Sequence, residues 1–74
     1  MANYNILMMK TTAKVILKNR TYEAHANTSI RRMLKDLGIQ SDAYLITRDG
    51  VLITDDEMIN AGHIIRLIPV ISGG

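Results

Sequence analysis

The feature that most constrains the fold is a nearly continuous apolar run, Ile64 to Ile68, which ends at the single proline of the chain, Pro69. A strand this apolar is typical of the middle of a sheet, where neighbouring elements bury it. We therefore place it centrally, next to the first strand. Because proline has no amide hydrogen, the strand ladder is expected to weaken at Pro69. Ser72 to Gly74 should then project as a thin, flexible tail.

A β-hairpin is predicted near the start of the chain. From Thr12 to Lys18, apolar residues at every second position indicate a strand with one buried face. Lys18 to Arg20 is a short turn, in which Asn19 is able to take the left-handed conformation. The chain then returns as a second strand from Thr21 to Ala26.

One short helix is predicted after this hairpin. Asn27 to Ser29 supplies candidates for the N-cap, and Gly38 lies where a glycine ends a helix. Arg32 and Asp36 are spaced as an i, i+4 pair, which contributes only about 0.2–0.5 kcal/mol. The helix must therefore be stabilised by its apolar stripe. That stripe consists of Ile30, Met33, Leu34 and Leu37.

The second half of the chain alternates strands and turns. Ala43 to Arg48 is predicted as a third strand, and Asp49-Gly50 is a typical hairpin turn before a short fourth strand, Val51 to Ile53. Thr54 to Glu57 matches the capping-box pattern, so one helical turn is expected there. Gly62 then ends that turn before the last strand.

The predicted order is one helix and a mixed sheet in a single domain, an α+β fold. We expect residues 1–9 to form a flexible tail, residues 10–71 the folded domain, and residues 72–74 an exposed tail. No apolar run reaches the length of a membrane span, and the first nine residues lack the features of a secretory signal. A cytoplasmic protein that does not enter membranes is therefore expected.

The composition narrows the classes of function. The absence of cysteine excludes disulfides, thiolate metal sites and cysteine catalysis. A net charge of +2 is too small for strong nucleic-acid binding. The basic cluster Arg31, Arg32 and Lys35 is interpreted as a solvated helix face, with docking to an acidic partner or to tRNA as the alternative. The sequence shows no nucleophile–base pair that would suggest an enzyme.

No metal site is expected. His25 and His63 lie on separate segments without the spacing of metal ligands, and we interpret both as surface residues. Asp55 to Glu57 could suggest a magnesium site, but the capping box accounts for these acidic residues locally.

A chemical role is expected at the last residues instead, with a simple flexible tail as the alternative explanation of the two glycines. The α-carboxylate of Gly74 would be ionised at neutral pH, because its reference pKa is about 3.3–3.7. Gly73 and Gly74 have no side chain that would obstruct a narrow nucleotide site. The carboxylate could attack the α-phosphate of ATP to give an acyl-adenylate. The protein would be the substrate of that reaction, and its catalyst would be another protein.

The element order, together with the ending Ile68 to Gly74, resembles the β-grasp, or ubiquitin-like, sulfur carriers that serve thiamin, molybdopterin and tRNA-thiolation pathways. The resemblance covers about Thr12 to Gly74, and its most specific part is the terminal diglycine on a strand. It implies a β-grasp domain over residues 10–71, with a mixed four- to five-stranded sheet and one helix across it. It also implies that Gly74 is adenylated and becomes a thiocarboxylate, with Gly73 and Ser72 giving slim access.

The resemblance further implies the partners. A ubiquitin-activating-like enzyme would adenylate Gly74 using ATP, a sulfurtransferase would supply sulfur, and a synthase or tRNA thiolase would accept it. No cofactor would be bound permanently. The outward residues Arg66, Ile68 and Val70 are candidates for docking to the activating enzyme, although packing on the second sheet face would explain them equally well.

Two departures leave the branch of the family open. His63 follows Gly62 where these carriers often have an acidic residue, and Arg48 ends a strand that often ends in an apolar residue. The final Ile-Ser-Gly-Gly resembles the tRNA-thiolation carriers more than the other two branches. Two other functions stay open: a protein modifier conjugated to lysines through Gly74, and a ubiquitin-like module that binds partners without covalent chemistry.

Overall fold

The structure, a computed structural model, describes residues 11–70. The predicted tails, residues 1–9 and 72–74, lie outside this range, as do residues 10 and 71. The described elements, in chain order, are β1 (Thr12–Leu17), β2 (Arg20–His25), β3 (Thr28–Ser29), α1 (Ile30–Asp36), a 3-10 helix (Ser41–Ala43), β4 (Tyr44–Arg48), β5 (Val51–Ile53), β6 (Met58–Ile59) and β7 (Ile64–Pro69).

Five of the strands form one mixed sheet in the order β2-β1-β7-β4-β5. The last strand, β7, is central as predicted: it is parallel to β1 and antiparallel to β4. Helix α1 packs against one face of this sheet, since its buried residues belong to the same core as those of β1 and β7. The predicted α+β fold is confirmed, and the arrangement is β-grasp-like.

The core lies between α1 and the inner face of the sheet. Along β1 and β7, buried and solvent-facing residues alternate, which follows from the two-residue period of a strand. The buried hydrophobic residues of the described part are Ala13, Val15, Ala24, Ile30, Met33, Leu34, Ile46, Ile59, Ile65 and Leu67. Among residues 11–70, no helix is long and apolar enough to cross a bilayer.

Both ends of α1 follow the sequence prediction. Ser29 is the N-cap, and its hydroxyl oxygen accepts a hydrogen bond from the Arg32 amide at 3.1 Å. At the other end Gly38 is left-handed, with φ of 78°. The Gly38 amide donates to the Lys35 carbonyl, and the Ile39 amide donates to the Leu34 carbonyl. These two bonds form the Schellman motif, which satisfies carbonyls at the helix end.

The two hairpin turns of the sheet differ in how well they were predicted. Asp49 and Gly50 both have positive φ, 55° and 79°, as a type I′ turn requires, so that prediction is confirmed. In the β1–β2 turn, however, the left-handed residue is Lys18, with φ of 56°. The suggestion that Asn19 would take this role is wrong. Because Leu17 pairs with Arg20, the register leaves a two-residue loop, and its first position takes the positive φ.

The helical turn expected from the capping-box pattern is also wrong. Met58 and Ile59 form β6, which pairs antiparallel with β3 in a separate two-stranded sheet. Their side chains alternate as in a strand: Ile59 is fully buried, whereas Met58 is exposed. Residues 54–57 form only a turn, in which the Glu57 amide donates to the Thr54 carbonyl at 3.3 Å.

Long-range hydrogen bonds explain why the capping box does not form a helix. The amides of Ile30 and Arg31, in the first turn of α1, have no partners within their own helix. They donate to the carbonyls of Glu57 and Asp55 at 2.9 and 2.8 Å. The turn at residues 54–57 thus helps to cap α1, and this tertiary role overrides the local signal.

The ladder ends at Pro69, as expected: Tyr44–Pro69 is the last pair on the β4 side, and Val70 lies beyond the strand. The Val70 amide still donates to the Ala43 carbonyl at 3.0 Å. In an antiparallel pair, residues alternate between bonding their neighbour and facing away from it. The nitrogen of Pro69 therefore faces the β1 side, where pairing has already ended at Leu67. An N–H group at position 69 would have no strand to bond on that side, so a proline there loses no hydrogen bond.

Candidate functional site

The three residues predicted to dock a partner lie on the solvent side of β7. Arg66, Ile68 and Val70 point away from the core, and Ile65 and Leu67 point into it. The Val70 amide donates a hydrogen bond to the carbonyl of Ala43 in the 3-10 helix, at the point where the chain leaves the sheet. The predicted site residues Ser72, Gly73 and Gly74 lie outside the described residues, but they follow Val70 directly in sequence.

Neighbouring strands extend this surface well beyond β7. The register places Leu45 opposite Ile68, Leu52 opposite Thr47, and Ile16 opposite Arg66, all on the solvent side of the sheet. Leu52 is 63% exposed and Leu45 is 46% exposed. We call this surface the outer apolar face. Its apolar members are Ile16, Leu45, Leu52, Ile64, Ile68 and Val70.

Sequence reasoning missed the members of this face outside β7. Ile16, Leu45 and Leu52 lie within predicted strands, but the sequence alone assigns none of them to a docking surface. Leu45 directly precedes the inward-facing Ile46, and Leu52 directly precedes the inward-facing Ile53. The alternation of a strand therefore indicates that both leucines face solvent, and this was the available signal. It could not show that they adjoin β7, because strand order depends on the tertiary fold.

Arg66 lies in the middle of the outer apolar face. Within residues 11–70, its guanidinium makes no ion pair or side-chain hydrogen bond. Asp49 lines the same shallow depression as Arg66 without forming an ion pair with it. The Thr47 hydroxyl donates to the backbone carbonyl of Arg66 at 3.2 Å.

The basic residues of α1 are partly neutralised. Arg31 forms a bidentate pair with Asp55, with both N···O distances at 2.9 Å. Arg32 pairs with Asp36 at 3.4 Å, as the i, i+4 spacing predicted. In the described part of the chain, Lys35 is the member of this cluster that has no ion pair. The cluster is therefore weaker as a docking surface for an acidic partner or tRNA than its sequence suggests.

Asp55 joins α1 to the 3-10 helix. Besides the Arg31 pair, its carboxylate accepts a hydrogen bond from the Ser41 hydroxyl at 2.6 Å. The hydrogen bonds from Arg31 and then Ser41 lower the pKa of Asp55 from 3.8 to about 2. In turn, the hydrogen bonds and charge of Asp55 raise the pKa of Arg31. This carboxylate therefore has a structural role: it connects α1 to the 3-10 helix.

The neighbouring acidic residues also have local partners. Glu57 forms an ion pair with Arg48 at 3.4 Å. This pair connects the end of β4 to the loop before β6. Asp56 accepts a hydrogen bond from the Thr54 hydroxyl. Among residues 11–70 there is no group of three or more His, Cys, Asp or Glu side chains arranged to hold a metal ion.

The two histidines lie on different elements, His25 on β2 and His63 on the segment before β7. His63 Nδ1 accepts a hydrogen bond from the Asn60 amide at 3.3 Å, and the His63 amide donates to the Asn60 carbonyl. The His63 carbonyl accepts from the Lys14 amide at 2.9 Å. His63 thus shapes the turn that leads into β7.

No protein-family model matches the chain, and no curated protein matches it with significant sequence similarity.

Proposed function

We propose that the protein is a sulfur carrier of the ubiquitin-like type and that Gly74 bears the sulfur. The observation that carries the proposal is the joining of a β-grasp-like domain to the ending Ser72-Gly73-Gly74 through its central strand. Strand β7 is paired with a strand on each side, so its position in the domain is fixed. The two glycines that follow have no side chains and can enter another protein's active site.

The reaction begins with the Gly74 carboxylate. One of its oxygens attacks the α-phosphorus of ATP, pyrophosphate leaves, and an acyl-adenylate forms. The terminal sulfur of a sulfurtransferase persulfide then attacks the acyl carbon and AMP leaves. A thiol on a partner cleaves the resulting acyl disulfide, which releases the Gly74 thiocarboxylate and leaves a disulfide on the partners. This chain has no cysteine, so every thiol in the sequence comes from a partner.

The thiocarboxylate then donates its sulfur to an acceptor: a tRNA uridine, the thiazole precursor of thiamin, or the molybdopterin precursor. The protein is the substrate and carrier in these reactions, ATP is consumed on the partner, and the setting is the cytoplasm. Arg66, Ile68 and Val70 would contact the adenylating enzyme, because they lie beside the origin of the tail.

Intact-mass spectrometry tests the proposal. The full chain is incubated with ATP, the ubiquitin-activating-like enzyme of the same organism, its sulfurtransferase and a sulfur source. We expect replacement of one oxygen by sulfur, located at Gly74 by fragmentation. A chain lacking Gly74 is the matched control and should gain no sulfur while retaining its folded circular-dichroism spectrum. Failure of the intact chain to form either adenylate or thiocarboxylate would refute the proposal.

The same material separates the alternatives. A protein modifier would leave Gly-Gly remnants from Gly73 and Gly74 on lysines of other proteins in protease digests. A non-covalent binding module would keep its activity after removal of Gly74. The carrier function requires loss of activity in that variant.

A further inference from the structure

The 3-10 helix between α1 and β4 contacts the point at which the last residues leave the domain. The Val70 amide donates to the Ala43 carbonyl at 3.0 Å. Tyr44, the residue after Ala43, pairs with Pro69. Gly74 follows Val70 by four residues, which span at most about 14 Å when fully extended. The position of Val70 therefore limits where the Gly74 carboxylate can be placed.

The 3-10 helix itself has few attachments to the rest of the domain. None of its three residues is buried, and Gln40 at its N-cap makes no side-chain hydrogen bond to it. Apolar burial therefore contributes little to fixing its position. Within residues 11–70, the side-chain hydrogen bond that ties it to another part of the fold runs from the Ser41 hydroxyl to the Asp55 carboxylate, at 2.6 Å.

Asp55 is in turn bonded to the first turn of α1. Its carboxylate forms the bidentate pair with the Arg31 guanidinium, and its backbone carbonyl accepts from the Arg31 amide at 2.8 Å. A bidentate pair fixes geometry more closely than a single hydrogen bond does. A continuous series of hydrogen bonds thus runs from α1 through Asp55 and Ser41 to the 3-10 helix, and from its last residue, Ala43, to Val70.

We propose that Ser41 and Asp55 are positioning residues for the reaction of Gly74: they fix the 3-10 helix and, through it, the place where residues 71–74 leave the domain. This inference rests on the proposed function, because it concerns delivery of the Gly74 carboxylate to the nucleotide. Loss of the Ser41–Asp55 bond would let Val70 move relative to the domain. The positions open to the carboxylate would then spread, and its effective concentration at the α-phosphate would fall.

Amide hydrogen exchange of the full chain, followed by NMR, tests the structural part of the inference without any partner. The Lys14 amide, which donates to the His63 carbonyl beside the start of β7, is the internal reference. In Ser41→Ala we expect exchange at Val70, relative to that at Lys14, to be faster by about threefold or more than in the original chain. An unchanged ratio would overturn the inference.

Adenylation is measured by ATP–pyrophosphate exchange with the ubiquitin-activating-like enzyme at varied concentrations of the chain. For Ser41→Ala and Asp55→Ala we expect kcat to fall by about two- to fivefold. KM should change by less than about twofold, because the interaction that is lost acts on the reacting group. Ser41→Thr retains the hydroxyl and should retain the original kcat. An unaltered kcat in Ser41→Ala, or an equal fall in Ser41→Thr, would overturn the inference.

A stability control separates positioning from simple destabilisation. Val15 is fully buried in the core on β1, and Val15→Ala removes none of the hydrogen bonds of Ser41, Asp55 and Val70. This variant is expected to be less stable than the original chain. Assayed well below its melting temperature, it should nevertheless retain the original kcat. A fall in kcat as large as that of Ser41→Ala would refute the positioning role.

The two measurements also separate this inference from the proposed function. If the original chain is adenylated and Ser41→Ala matches it in kcat, only the positioning role is wrong. If the original chain is not adenylated, the proposed function is wrong. The exchange ratio at Val70 then decides by itself whether Ser41 and Asp55 fix the place where residues 71–74 leave the domain.

Discussion

At the scale of single residues, the lowered pKa of Asp55 links folding to pH. Its contacts with Arg31 and Ser41 connect α1, the 3-10 helix and the turn after β5. Since its folded-state pKa, about 2, is below its ordinary value of 3.8, folding favours the ionised form. The resulting stabilisation is complete above the ordinary pKa and is lost as the pH falls through 3.8 towards about 2.

We therefore expect Asp55→Asn to lower the melting temperature at neutral pH. The difference from the original protein should shrink as the pH is lowered through this range, because protonation removes the same interaction from the original protein. Thermal melts followed by circular dichroism at several pH values check this. Asp42→Asn is the control for the loss of one carboxylate, since Asp42 forms no ion pair among the described residues. An Asp55→Asn offset that is independent of pH would contradict the prediction.

At the scale of elements, the end of α1 depends on a single glycine. Gly38 has φ of 78°, and a Cβ added there would meet nothing within 4 Å. The penalty for Gly38→Ala is therefore conformational, about 1–2 kcal/mol. Gly38→Asn should be less destabilising, because asparagine tolerates the left-handed region better. Urea unfolding measures both; equal stability of Gly38→Ala and the original chain would show that the Schellman end is not maintained.

The strand β6 makes a second prediction at this scale, because its two residues differ sharply in burial. Ile59 is fully buried, so Ile59→Ala should cost about 2–5 kcal/mol in the free energy of unfolding. Met58→Ala, at an exposed position, should change it by about 0.5 kcal/mol or less. Denaturant unfolding of the two variants checks the difference. Similar losses at both positions would be inconsistent with a strand in this register.

At the scale of the whole molecule, β7 is the only strand of the five-stranded sheet that joins its two hairpins. Val15 of β1 and Ile46 of β4 pack on either side of it, opposite Ile65 and Leu67 respectively. Val15→Ala and Ile46→Ala should therefore each destabilise the entire domain, by about 1–4 kcal/mol, with a single transition.

Calorimetry of the two variants, compared with circular dichroism, tests this cooperativity. Coincident transitions in both variants are expected, with calorimetric and van't Hoff enthalpies in agreement. Ile16→Ala is a suitable control, because Ile16 is half-buried on the outer apolar face and is not part of the core. Separate melting of one hairpin would show that β7 does not couple them.

The sequence by itself determined several of the local elements of this protein. The limits of α1, the Asp49-Gly50 turn and the inward faces of β1 and β7 follow from caps, left-handed positions and periodicity, whose physical causes lie within a few residues. The central position of β7 was also predictable, because a strand this apolar must be covered. Gly73 and Gly74 suggested a chemistry that stays a proposal.

The tertiary structure decided whatever depends on residues distant in sequence. Residues 54–57 form a turn, because the carbonyls of Asp55 and Glu57 accept hydrogen bonds from α1. Met58–Ile59 form a strand, because they pair with β3. Pro69 is accommodated because its nitrogen faces the side where β1 has ended. Leu45 and Leu52 join Arg66 in one surface because strand order places β4 and β5 beside β7. Local propensity does not contain these pairings, so only the assembled sheet could determine them.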